Sequence, residues 1–122
     1  MSLVWRGSST IPVALYRFLY FRVNKEVGLP VRVINARCNN DTRPAADPRS
    51  AFIWKGMTGS ETGDEGTDAL LTVGYVCSYG DLIYNPSTDL KLGLDMQIGF
   101  RINGESGDVV NASILYEVIR DG

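Results

Sequence analysis

Any chemistry in this chain has to be done without histidine, because none of its 122 residues is one. That removes Ser-His-Asp and Cys-His nucleophiles and every imidazole general base. Zinc and kindred metals lose their usual ligand, and Cys38 and Cys77 lie too far apart in sequence to form a Cys-x-x-Cys site. Neither a Gly-x-x-x-x-Gly-Lys-Ser/Thr loop nor a Gly-x-Gly-x-x-Gly turn is present, so the chain lacks the backbone cradle that phosphates need. Carboxylates remain. Glu61, Asp64, Glu65 and Asp68 crowd one glycine-rich stretch, residues 59–68, where oxygen ligands would suit calcium. Their spacing is not that of an EF-hand, and an acidic loop is ordinarily a solvated surface feature. Paired-carboxylate catalysis would further require two of them held in a cleft. We therefore expect no catalytic residue, no cofactor and no resident metal, with that loop as a weak calcium candidate.

Basic and aromatic side chains interleave near the N-terminus, where Arg17, Arg22 and Lys25 alternate with Tyr16, Phe18, Tyr20 and Phe21. Such mixtures serve as stacking platforms for single-stranded nucleic acid. The plainer reading is a core strand with charges at its edge. Twelve basic against fourteen acidic side chains leave a formal charge of −2, which draws the chain toward neither phosphate backbones nor anionic lipid. Direct nucleic-acid binding and membrane association are not expected. Two cysteines allow a single intrachain pairing, and the expected state is two buried free thiols. The sequons Asn40-Asp41-Thr42 and Asn111-Ala112-Ser113 are most simply coincidences.

The elements that must position these residues read as strands. Leu90, Leu92, Leu94, Met96, Ile98, Phe100 and Ile102 alternate with polar or small residues, and Val110, Ala112, Ile114, Tyr116 and Val118 alternate again. Between them, Asn103-Gly104-Glu105-Ser106-Gly107-Asp108 consists of turn formers. The pattern predicts a long hairpin from about Asp89 to Arg120, with Phe100 opposite Ala112 and Ile98 opposite Ile114. Upstream, Ala69 to Tyr79 reads as a strand covered on both faces, and Val31 to Cys38, Ala51 to Trp54 and Leu82 to Tyr84 read as shorter ones. Residues 39–50 read as a long loop. Ile11 to Val23 is ambiguous: Ser9 or Thr10 and Pro12 suit a helix start, yet its aromatics favour a strand and its apolar groups form no stripe. Strand is the expectation. Broken by Arg17 and Arg22, the segment is also short of the roughly 20 residues of a membrane helix. With 122 residues, 44% hydrophobic, the chain predicts one domain, 1–122, of antiparallel β-sandwich or jelly-roll-like architecture.

A surplus of apolar surface follows. Tyr16, Phe18 and Tyr20 fall on one face of the first strand, and Leu15, Leu19, Phe21 and Val23 on the other, so a two-layer domain cannot bury both unaided. A second subunit is the economical cover, with Tyr16, Phe18 and Tyr20 as candidate interface residues; the alternative is a central strand whose second face lies under the loop at residues 39–50. In its C-terminal pattern from Leu90 to Val118, its aromatic first strand and its start at Met1 without a secretion signal, the chain resembles the small β-sandwich proteins that decorate or cement bacteriophage capsids. That resemblance implies a non-enzymatic virion subunit acting through contacts with copies of itself and with another structural protein, and implies no particular binding residue. Outside a virus, the lack of a signal peptide implies the cytoplasm. Two other readings stay open: a small carbohydrate- or ligand-binding sandwich, with Trp5 and Trp54 as exposed platforms, and a histidine-free carboxylate enzyme.

Overall fold

The computed structural model describes residues 2–58 and 69–120, so the acidic calcium candidates Glu61, Asp64, Glu65 and Asp68 lie outside the described residues. Among the described residues nine strands and one helical turn follow in order: β1 Leu3–Thr10, β2 Tyr16–Arg22, α1 Val23–Glu26, β3 Val31–Asn40, β4 Arg49–Met57, β5 Ala69–Val76, β6 Leu82–Tyr84, β7 Leu90–Leu92, β8 Met96–Asn103 and β9 Val109–Val118. They form two antiparallel sheets packed as a sandwich, as the alternating sequence predicts. Sheet A runs β1-β9-β3-β6 with β7 also on β3, and sheet B runs β2-β8-β4-β5.

The core is the product of the alternation. Phe21, Ile53, Ile98, Phe100 and Ile102 point inward from sheet B and meet Val33, Ala36, Cys38, Val110, Ile114 and Tyr116 from sheet A. Each fully buried large side chain contributes on the order of 1.5–3 kcal/mol of transfer free energy. Trp5 closes the side of the sandwich beside β1 and β2, its ring 5.4 Å from Phe21 and stacked at 6.1 Å on Phe100.

The predicted C-terminal hairpin does not form. β8 lies in sheet B between β2 and β4, and β9 lies in sheet A between β1 and β3, so Phe100 faces Leu19 and Ile53 while Ala112 faces Gly7 and Cys38. The expected long strand from Leu90 is also two strands, parted by a turn at residues 93–95 in which Met96 N–H donates to the Gly93 carbonyl at 3.2 Å. Alternation gives the direction of these side chains correctly, but the pairing drawn from it, Phe100 with Ala112 and Ile98 with Ile114, is wrong. An arch that carries the chain from one sheet to the facing one keeps apolar side chains pointing at the core, just as a hairpin does.

What makes 104–108 an arch is visible in its partners. Gly107 N–H donates to the Ile11 carbonyl and Ile11 N–H to the Asp108 carbonyl, both at 2.8 Å, while Gly104 N–H reaches the Leu15 carbonyl. The β8–β9 crossing therefore stacks on the β1–β2 crossing, which also joins the two sheets. A Cβ on Gly104 would lie within 2.7 Å of Asn40, Asp108 and Ile11 side chains, so the arch needs glycine there.

At the N-terminus the strand expectation for 11–23 holds over Tyr16–Arg22. Ile11 is buried in the arch, Leu15 turns the chain with φ of +65°, and Val23–Glu26 forms a single helical turn. Gly28, at φ of +86°, ends that turn. Strand β1 was not anticipated. Its run Gly7-Ser8-Ser9-Thr10 carries no apolar alternation, and only Trp5 packs from it against the core. Strand β5 stops at Val76, where Cys77 and Gly80 exchange backbone bonds.

Candidate functional site

Strands β2, β8, β4 and β5 present their second set of side chains on the outer face of sheet B, and the register aligns these in rows. Tyr16, Asn103, Ser50 and Tyr75 make one row; Phe18, Arg101, Phe52 and Val73 the next; Tyr20, Gly99, Trp54 and Leu70 the third; Arg22, Gln97 and Gly56 the fourth. The three candidate interface residues, Tyr16, Phe18 and Tyr20, are thus brought together, successive on the same edge strand. Sequence reasoning missed what they join. The sequence places Phe52 and Trp54 on a short strand, with Trp54 as an exposed platform, and Val73 and Tyr75 on one side of a doubly covered strand, although their parity sets them apart from Gly74 and Val76.

The centre of this face is an aromatic cluster. Trp54 receives Phe18 and Tyr20 edge-on at centroid distances of 5.8 and 6.1 Å, and Tyr16 meets Phe18 at 5.2 Å. Its indole lies over Gly99, where a Cβ would come within 2.2 Å of the ring. Glycine at 99 is therefore what lets tryptophan lie flat on the sheet. Arg22 and Arg101 stack over Tyr20 and Tyr16, each with its guanidinium carbon 4.6 Å from the ring centroid. Arg22 also donates to Gln97 Oε1 at 3.3 Å.

Burial shows how deep this layer is. Trp54 is only 3% exposed and Gln97 is fully buried, yet neither belongs to the core between the sheets. By contrast, Val73 is 52% and Tyr75 71% exposed, so the cluster runs out at β5 into open apolar surface. Two donors within the layer, Trp54 Nε1 and Arg101 Nε, are buried without a hydrogen-bond partner among the described residues. The tryptophans cannot be exposed platforms, since Trp5 packs on the core and Trp54 is covered by its neighbours.

A second cluster ties the arches together. Asp108, 2% exposed, accepts from Asn40 Nδ2 at 3.0 Å and Glu105 N–H at 2.8 Å and pairs with Arg43 at 2.8 Å. Asn40 Oδ1 in turn accepts from the Thr42 and Arg43 amides. Burial works to raise the Asp108 pKa, but the backbone bond from Glu105, then Asn40 and Arg43, outweigh it and hold the carboxyl below its ordinary range. That is the reverse of a general acid poised near neutrality. Asp47, bonded to Arg49 and then Arg43, is likewise held down. Among the described residues no group of three or more metal-capable side chains converges, and no helix is long and apolar enough to cross a membrane. Both cysteines are free; Cys38 is buried, and loss of solvation, with Asp81 nearby, pushes its thiol up to about 12.

No family model matches the sequence, and no curated protein matches it. Among solved structures, the Yersinia pseudotuberculosis-derived mitogen is similar over 100% of this chain and 91% of its own, with 13% identity and a TM-score of 0.50. The NLP core of Drosophila, described in terms of pentamer formation and histone binding, is similar over 99% of this chain and 100% of its own, with 10% identity and a TM-score of 0.48. The virus-like particle of Macrobrachium rosenbergii extra small virus gives 9% identity and a TM-score of 0.34 over 98% of this chain and 81% of its own. At such identities the likeness to the mitogen speaks for the sandwich fold alone.

Proposed function

We propose that this chain is a structural assembly subunit that associates with copies of itself through the outer face of sheet B. One observation carries the reading: an aromatic layer outside the core buries Trp54 almost completely and then continues over Val73, Tyr75 and Leu70, which are exposed. Monomers rarely leave a contiguous apolar face open, and rigid aromatics flanked by arginine are the usual anchors of protein contacts. No carboxylate stands in the four rows, and both arginines lie over rings, so the face meets a second copy chiefly as apolar surface. Strand β2, which carries Tyr16, Phe18 and Tyr20, lies at the edge of sheet B.

The resemblance in the sequence suggests a specific form of this role, a virion decoration or cement subunit that contacts its own copies and another structural protein. In that role the chain works in the virion, by surface complementarity and without catalysis, cofactor, membrane or nucleic acid. Sedimentation equilibrium tests the core of the proposal. The protein should form a discrete oligomer, and replacing Tyr16, Phe18 and Tyr20 singly with serine should weaken it by more than about 1 kcal/mol at one or more positions. A wild type that stays monomeric at high concentration, with no structural partner on purification from its source, would refute it.

A further inference from the structure

The other outer face, that of sheet A, holds a polar trough that the assembly role does not use. Strands β1, β9 and β3 align Arg6, Ser113 and Arg37 in one row and Ser8, Asn111 and Asn39 in the next. The central strand contributes only short side chains, Asn111 and Ser113, while the flanking strands carry the long arginines. The result is a depression of about 460 Å³ with Asp81 on its rim. Such a volume lies within the roughly 300–1,000 Å³ of small-molecule sites. Three strands wide and two rows deep, the patch measures about 10 by 7 Å, a footprint suited to a single sugar ring.

From this geometry we infer a binding site for an acidic saccharide, a sugar unit bearing a carboxylate. Arg6 is exposed and makes no ion pair among the described residues, which leaves a fork of donors free for a carboxylate. Arg37 is partly engaged, donating to Asn35 at 3.2 Å with Asp81 4.0 Å away. The patch is thus net cationic by one charge while keeping a carboxylate as acceptor. Asn111 Nδ2 donates to Asn39 Oδ1 at 3.3 Å, and both residues line the trough, so the Asn111 oxygen remains as an acceptor and the Asn39 amide as a donor. With the Ser8 and Ser113 hydroxyls, the floor offers donors and acceptors in alternation. A simple oxyanion has no use for acceptors, and a neutral sugar leaves the excess positive charge unbalanced; a hydroxyl-rich carboxylate meets both. The spacing of Asn111-Ala112-Ser113, a sequon by letter, here sets two polar side chains on one face of a strand.

The test is an NMR titration of the full chain with glucuronate, using glucose and acetate as controls that each carry half of its chemistry. Saturable shifts are expected at Ser8, Arg37, Asn39, Asn111 and Ser113, with a Kd on the order of 1 mM and at least about tenfold weaker responses to either control. Arg6→Gln should weaken glucuronate binding about tenfold with the remaining spectrum unchanged. Ser113→Val, which fills the floor without touching a charge, should do the same. Equal response to acetate would reduce the trough to a plain anion patch, and equal response to glucose would remove the role of Arg6. Either result overturns the inference, as does the lack of saturable shifts up to about 50 mM or an unaltered affinity in both variants.

Discussion

The outer faces of the two sheets, one of five strands and one of four, solve the problem of facing outward in opposite ways. Sheet A settles it with hydrogen bonds: Asn111 to Asn39, Arg37 to Asn35 and Asn35 to Asn85, at 3.3, 3.2 and 2.7 Å, leave a surface that water can finish. Sheet B settles it with rings, packing Tyr16, Phe18 and Tyr20 around Trp54 and laying Arg22 and Arg101 over them. The first arrangement is mostly polar and can be completed by water. The second buries its own centre and ends in exposed Val73 and Tyr75, with no matching layer above it among the described residues. Alternation in the sequence says which side chains turn from the core; only their types say whether the outward face is finished.

The contrast is sharpest at Trp54. If the aromatic layer is a second small core, Trp54→Ala should cost about 3–5 kcal/mol of stability, as for a tryptophan in a true interior. Urea denaturation followed by circular dichroism would measure it. A loss under about 1 kcal/mol would mean that the rings merely rest on the surface, and the difference between the two faces would be one of composition alone.

The arch cluster holds both faces to their common core, and its expected effect is somewhat smaller. Asp108→Asn leaves Arg43 without its buried anion and should cost about 3 kcal/mol. The folded carboxyl of Asp108 titrates below its unfolded value, about 3.9. Its contribution is therefore fully present above that value and lost as pH falls through the lower, folded one. Wild-type stability should thus drop on acidification below about pH 4, and the variant's should drop less steeply. Parallel pH profiles for the two proteins would show that the cluster is not what couples stability to acid.

Most of the fold was legible, and its gaps share a cause. The inward sets of β8 and β9 follow directly from Ile98, Phe100 and Ile102 and from Val110, Ala112 and Ile114, because burial on one side forces period two. Pairing did not follow, since an arch and a hairpin carry the same alternation and the same turn residues. Nothing local in Asn103 to Asp108 announces that Gly107 will bond to Ile11, far away in sequence. Strand β1 was hidden because its pairing with β9 is made by backbone groups, which serine and threonine supply as well as valine does. Of the candidate site, Tyr16, Phe18 and Tyr20 were legible from parity on one strand. Phe52, Trp54 and Arg101 were not, since their place beside that strand depends on sheet order. The polar trough was invisible for the same reason: it exists only where three strands far apart in sequence lie side by side.

The finest test uses a matched pair of residues. Val73 on β5 and Val4 on β1 are the same residue type, each 52% exposed, each on an edge strand and each facing outward, one on sheet B and the other on sheet A. Replacing either with serine removes the same apolar atoms from an exposed site, so both variants should keep their stability within about 0.5 kcal/mol. If association runs through the aromatic face, Val73→Ser should weaken the oligomer by about 1 kcal/mol, roughly fivefold in the association constant. Val4→Ser should leave it unchanged. Sedimentation equilibrium on the two variants side by side removes the usual ambiguity of such substitutions, because a general loss of surface hydrophobicity would act on both alike. An equal effect would detach association from sheet B. A larger effect for Val4→Ser would place the contact on sheet A, and the unfinished look of the aromatic face would then need another explanation.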